Sequence, residues 1–128
     1  MARILIIDDD KQIRYILKEM LEQVGFEVDE ASDGENGVNS FLKKPADLVI
    51  TDVFMPRKDG LETMSEIKRK YPETKFIVMT GSEVINGVDH LSVARIIGAA
   101  HTFRKPFNWK DMIDAAIEIT DIKVMNVS

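Results

Sequence analysis

The sequence predicts an α/β protein, a doubly wound five-stranded parallel sheet with five helices. Three observations predict it. The apolar and β-branched runs at residues 4–7, 48–51 and 76–79 have no alternating polar partner, which suits strands buried on both faces. Between such runs lie stretches with apolar residues at helical spacing. The two patterns alternate five times with short connections, and right-handed crossovers then require parallel strands with helices on both sides.

Taken in order, Arg3-Ile-Leu-Ile-Ile7 reads as the first strand and ends in Asp8-Asp9-Asp10. Ile13, Ile16, Leu17, Met20, Leu21 and Val24 form the stripe of an amphipathic helix, and Gly25 is placed to stop it. Residues 26–31 alternate Phe26, Val28 and Glu30 against Glu27 and Asp29, a second strand nearer the sheet edge. Asp33-Gly34 turns into a helix with Val38, Phe41 and Leu42 on its apolar side, ended by Lys43-Lys44-Pro45. The third strand runs to Asp52 and breaks into Met55-Pro56 and Asp59-Gly60, both loop signals. Leu61, Met64, Ile67 and Tyr71 mark a third helix, closed by Pro72, and residues 75–80 form a fourth strand ending in Thr80. Residues 84–97 are helical in part, with Asn86-Gly87 delaying the start. On that helix Val93, Ile96, Ile97 and Ala100 are expected on the core side, leaving Leu91 and one of Val84 or Ile85 outward as a contact face. His101 to Arg104 make a short fifth strand before Lys105-Pro106-Phe107. Asn108 then caps a last helix bearing Trp109, Met112, Ile113, Ala116 and Ile119 or Thr120.

With 128 residues the chain fits a single domain, its core over roughly residues 3–122 and a tail at 123–128 without periodicity. Apolar residues at 45% and charged residues at 30% are those of a soluble globular protein and not of a disordered one. No apolar run approaches the ~20 residues that span a bilayer, and no signal peptide is recognisable, so no membrane insertion is expected. The absence of cysteine excludes disulfides and thiolate metal sites and accords with a cytoplasmic address. A net charge of −5 argues against a direct nucleic-acid partner, which needs a basic surface.

The polar residues gather at one end of the expected sheet. Strand one ends in Asp8-Asp9, strand three in Asp52, strand four in Thr80 and strand five in Lys105. The carboxyl ends of strands are where open parallel sheets bind ligands. Singly, each residue has a plain structural account: Asp10 and Asp52 as caps, Thr80 as a turn hydroxyl, Lys105 as a solvated cation. In the flavodoxin-like order 2-1-3-4-5, however, strands one and three are neighbours, which brings Asp8, Asp9 and Asp52 together. Such carboxylates repel by roughly 4 kcal/mol per pair at ~4 Å and an effective dielectric near 20. Protonation, Lys105 or a hard divalent cation must relieve this. Mg²⁺ is the better candidate, because it binds through a few carboxylates, waters and a substrate phosphate. Asp52 can then act as a nucleophile toward phosphorus. Lys105 and Thr80 supply a cation and a hydroxyl to the new charge, and Gly81 offers no side chain to obstruct it.

The ordered set Ile4-Leu-Ile-Ile-Asp-Asp9, Asp47 to Gly60, Met79-Thr80-Gly81 and Lys105-Pro106-Phe107 resembles the receiver domains of two-component response regulators, of the chemotaxis-regulator type. The resemblance covers essentially the whole sequence. It implies that Asp52 accepts a phosphoryl group in a Mg²⁺-dependent reaction. Asp8 and Asp9 would hold the metal with Asp52 and the backbone carbonyl of Phe54, and Thr80 and Lys105 would bind the phosphoryl oxygens. It also implies a cis Lys105–Pro106 bond, a sensor histidine kinase or phosphotransfer protein as donor, and a downstream protein target. One departure stands out: Thr102 occupies the position, three before the lysine, where such domains carry Tyr or Phe. Strand alternation points Phe103 to the opposite face. Transmission is therefore expected to rest on Thr80 and on movement of residues 81–87 with the following helix.

Two other functions compete with this reading. A haloacid-dehalogenase-like phosphohydrolase would use Asp8 and Asp10 as an Asp-x-Asp pair, but Gln12 stands where that family has Thr or Val, and 128 residues leave no room for its cap. A nucleotide or flavin module would need a glycine-rich loop after strand one, where Asp9-Asp10-Lys11 offers negative charge instead.

Overall fold

Period-two alternation lets one strand serve two cores, and this sheet uses it throughout. The computed structural model describes residues 2–81 and 87–120. In chain order these contain β1 (Arg3–Ile7), α1 (Lys11–Gln23), β2 (Glu27–Ala31), α2 (Gly34–Lys43), β3 (Leu48–Asp52), α3 (Gly60–Lys70), β4 (Lys75–Thr80), α4 (His90–Ile97), β5 (His101–Arg104) and α5 (Trp109–Thr120). The strands are all parallel, in the order β2-β1-β3-β4-β5. Ile4, Ile6, Leu48, Ile50, Ile77 and Met79 pack with α1 and α5 in one core. Leu5, Ile7, Val49, Phe76 and Val78 pack with α2, α3 and α4 in the other. The central strand β3 is buried along its whole length. Each of its apolar side chains contributes about 1.5–3 kcal/mol by leaving water, so the strand that ends in Asp52 is firmly held.

Local chemistry fixes where the helices begin. The side chains of Asp10, Asp33, Asp59 and Asp89 each accept a hydrogen bond from a first-turn N–H of α1, α2, α3 and α4, and Asn108 does so for α5 at 3.1 Å. Each such cap is worth about 1 kcal/mol. At the far end of α1, Gly25 adopts φ +107°, a left-handed turn that a side chain would disfavour. The order, the ten elements and the edge position of β2 agree with expectation.

The sidedness of α4 does not. Leu91, expected outward, is 2% exposed, whereas Ile96, assigned to the core, is 85% exposed. The helix begins only at His90, after the Asp89 cap, so Leu91 and Ala94 form the row that meets the sheet. It ends at Gly98, and Ala100 lies outside it, its N–H bonded to Phe76 O at 2.8 Å. A leucine contact face is thereby removed. Val84 and Ile85, the other outward candidates, and the tail at 123–128 lie outside the described residues. Ile16 and Leu42 are exposed too, at 37% and 40%. Each stands one position, about 100°, from the fully buried Leu17 or Phe41, so it falls on the stripe's margin.

Candidate functional site

Register decides what meets at the carboxyl edge of the sheet. Ile7 pairs with Thr51 and Asp52 with Met79, so the residues following β1 lie beside the end of β3, and Thr80 lies beyond it. Oxygens of Asp8, Asp9 and Asp52 lie within 4.8 Å of one another. Asp8 and Asp52 are buried and Asp9 is exposed. The cluster expected from strand order is thus assembled.

Both carboxylate oxygens of Asp8 accept a hydrogen bond. Its Oδ1 accepts the Asp10 N–H at 2.8 Å and its Oδ2 accepts Lys105 Nζ at 2.9 Å. Asp52 Oδ1 accepts the Val53 N–H at 2.8 Å, and its Oδ2 accepts Lys105 Nζ at 3.1 Å. Lys105 is aimed here because its N–H bonds to Thr80 O at 2.8 Å, just before the cis Lys105–Pro106 bond. Thr80 is fully buried at the end of β4.

Two buried carboxylates therefore share one ammonium, with Asp9 close by. Burial pushes Asp52 up to about 6, with Asp8 adding to the rise and Lys105 opposing it. Burial raises Asp8 as well, against the bonds from Asp10 and Lys105. Burial also pulls Lys105 down, but its bonds to Asp8 and the charge of Asp52 outweigh this and leave it above its ordinary value. The lysine stays charged while negative charge remains in surplus. Hard oxygen donors with surplus negative charge fit a divalent cation such as Mg²⁺.

Two contributors escaped sequence reasoning. Arg14 donates from Nη1 to the Asp8 carbonyl at 2.6 Å and from Nε to Glu30 Oε1 at 2.8 Å, fixing the end of β1 against α1. The available signal was a basic residue next to the apolar stripe, one turn after an acidic cluster. Gly60, read only as a turn residue, crosses directly over Asp52. A Cβ there would lie 1.9 Å from the Asp52 carbonyl oxygen, and its N–H bonds to Val53 O at 2.7 Å. Gly60→Ala is expected to cost about 1–3 kcal/mol through overpacking against backbone, read from the urea midpoint. Gly81 is unlike it, since among the described residues an added Cβ would meet Lys105 Cβ alone, at 4.0 Å.

At the departure noted above, Thr102 Oγ1 accepts Arg95 Nη1 at 2.6 Å, which ties β5 to α4. Phe103 packs with the α1–α5 core, on the opposite face as expected. Most of the 81–87 loop lies outside the described residues.

The family model of the response regulator receiver domain matches residues 4–117. The chain belongs to this family. Among curated relatives, this receiver domain is 44% identical over 117 residues to the transcriptional regulatory protein PdtaR of Mycobacterium tuberculosis, covering 88% of the chain and 54% of the relative. It is 35% identical to the transcriptional regulatory protein CpxR of Klebsiella pneumoniae, covering 88% of the chain and 47% of that protein. The chain spans about half the length of the curated relatives it matches. A solved receiver domain from Clostridium thermocellum superposes with a TM-score of 0.84 at 33% identity, covering 94% of this chain and 95% of that one. A CheY-like receiver domain from Methanospirillum hungatei does so with a TM-score of 0.86 at 28% identity, covering 94% of each. The dehalogenase assignment finds no support. Asp10, which it would need as an acid, is the α1 cap, accepting from the Gln12 and Ile13 N–H groups at 2.9 and 3.3 Å. No helix among the described residues is long and apolar enough to cross a membrane.

Proposed function

We propose that this receiver domain accepts a phosphoryl group on Asp52, with Asp8, Asp9, Asp52 and the backbone carbonyl of Phe54 holding Mg²⁺. The single observation that carries this is the sharing of Lys105 by Asp8 and Asp52, at 2.9 and 3.1 Å, on a fully parallel sheet edge. When bound, the metal supplies charge neutralisation and orients an incoming phosphoryl group. Asp52 is anchored through Oδ1 by the Val53 N–H, which leaves Oδ2, now on Lys105, as the attacking oxygen. The new P–O bond forms there as the bond from phosphorus to the donor's leaving atom breaks. Lys105 and the Thr80 hydroxyl then bind the phosphoryl oxygens.

The chain acts in this proposal as a switch and not as a turnover enzyme. A sensor histidine kinase or phosphotransfer protein donates, in the cytoplasm, and a downstream protein target responds. Incubation with acetyl phosphate and Mg²⁺, followed by intact mass, should show one added phosphoryl group in the wild type. None is expected in Asp52→Asn or in EDTA. Normal stoichiometry on the variant would move the acceptor to Asp8 or Asp9.

A further inference from the structure

We propose that His90 is a positioning residue for the acceptor loop, and that through it the start of α4 is coupled to occupancy of the cation site. The proposal rests on the reading of Phe54 as a backbone ligand. Phe54 follows Asp52 by two residues, and its ring is 38% exposed instead of joining either core. It meets the His90 ring edge-on, with centroids 4.8 Å apart and planes at 70°. His90 is the first residue of α4, and its Nδ1 is buried without a hydrogen-bond partner among the described residues. Among the described residues no polar bond at Nδ1 orients that ring, and the edge-on contact with Phe54 takes this role.

The rest of α4 is tied to β5. The Asp89 cap receives Arg104 Nη2 at 3.2 Å, and Arg95 reaches Thr102 at 2.6 Å. The helix thus bridges the acceptor loop and Thr102, the β5 position at which this chain has no aromatic ring. The Phe54 ring and carbonyl hang from one Cα, so a shift of the loop that carries the carbonyl toward a cation also moves the ring against His90, and a ring held by His90 holds the backbone that presents the carbonyl. Coupling of this kind is reciprocal: whatever holds α4 in place must change cation affinity by the same factor by which the cation shifts α4. An edge-to-face ring pair sets the scale at about two- to tenfold.

The test is a Mg²⁺ titration of the unphosphorylated protein, with affinity from calorimetry and site response from backbone amide spectra. In the wild type, amides of Asp8, Asp9 and Asp52 should shift together with those of His90 to Ala94. In His90→Ala the affinity should fall by about two- to tenfold, and the α4 amides should cease to respond while those of Asp8 and Asp9 still do. His90→Phe, which keeps a ring, should restore both, an outcome that a merely structural role would not give. Phe54→Leu, which retains the carbonyl, should reproduce His90→Ala and serves if that variant does not fold. Wild-type affinity with an undiminished α4 response in His90→Ala and in Phe54→Leu would overturn the coupling. No response at Asp8, Asp9 and Asp52 in the wild type would overturn the cation site itself, and the coupling with it.

Discussion

Asp52→Asn is expected to stabilise the metal-free protein at neutral pH. Burial, Asp8 and Lys105 together set the Asp52 carboxyl at about 6, against an ordinary value of 3.8. The folded state therefore holds this proton more tightly than the unfolded state. As pH rises from about 4 to about 6 the unfolded chain has released the proton while the folded chain still keeps it, so stability falls across that window and levels off above it. A difference of 6 minus 3.8 corresponds to about 3 kcal/mol at pH 7. Asparagine keeps the shape and an acceptor for Lys105 but has nothing to titrate. Urea denaturation in EDTA should show the variant more stable by up to about 3 kcal/mol at pH 7, with the two proteins converging near pH 4. Mg²⁺ at 100 times its Kd should close most of this gap, because it adds about 2.7 kcal/mol to the protein that binds it. Parallel stability curves from pH 4 to 7 would mean that Asp52 carries no such penalty.

The same residues show what a sequence can and cannot reveal. Asp8, Asp9 and Asp52 were legible as a cluster because strand order and strand ends follow from apolar runs and crossover handedness. Asp10, Asp33 and Asn108 were legible as caps or turn residues because their role is played within three residues. The facing of α4 was not, since three more apolar positions, Val84, Ile85 and Val88, precede His90 and the choice of first residue rotates the whole stripe. Leu91 and Ile96 changed places for that reason. Arg14 and Gly60 were hidden for another. Their partners, the carbonyls of Asp8 and Asp52, are backbone atoms brought near by packing, and backbone contacts leave no complementary residue type to recognise.

Lys105→Met should give the largest single loss of stability. Lys105 is the only cation hydrogen-bonded to Asp8 or Asp52 side chains among the described residues, and Met keeps the length of its stem without the charge. Removing one partner from a buried ion pair costs about 3–5 kcal/mol. Protonation limits the cost: a carboxyl of ordinary value 3.8 can take up a proton at pH 7 for about 4 kcal/mol. Asp52 already bears much of that in the wild type, so most of the new loss falls on Asp8. Both carboxyls should rise further, and by the same sign as before the deficit must shrink as pH falls and the folded state takes up protons. The expected result is a loss of about 3–5 kcal/mol at pH 7 in EDTA, under ~1 kcal/mol near pH 4. Mg²⁺ should recover part of it at pH 7 by replacing the missing positive charge. In the double variant with Asp52→Asn the loss should be smaller than in Lys105→Met alone, a coupling above ~1 kcal/mol between groups in contact. Lys105→Arg separates charge from shape, since it keeps the cation but not the single-nitrogen geometry shared by two oxygens. It should retain most of the stability while phosphorylating more slowly. A deficit in Lys105→Met that is the same at pH 4 as at pH 7 would assign the loss to packing of the side chain and leave the charge of Lys105 without a role in holding Asp8 and Asp52 together.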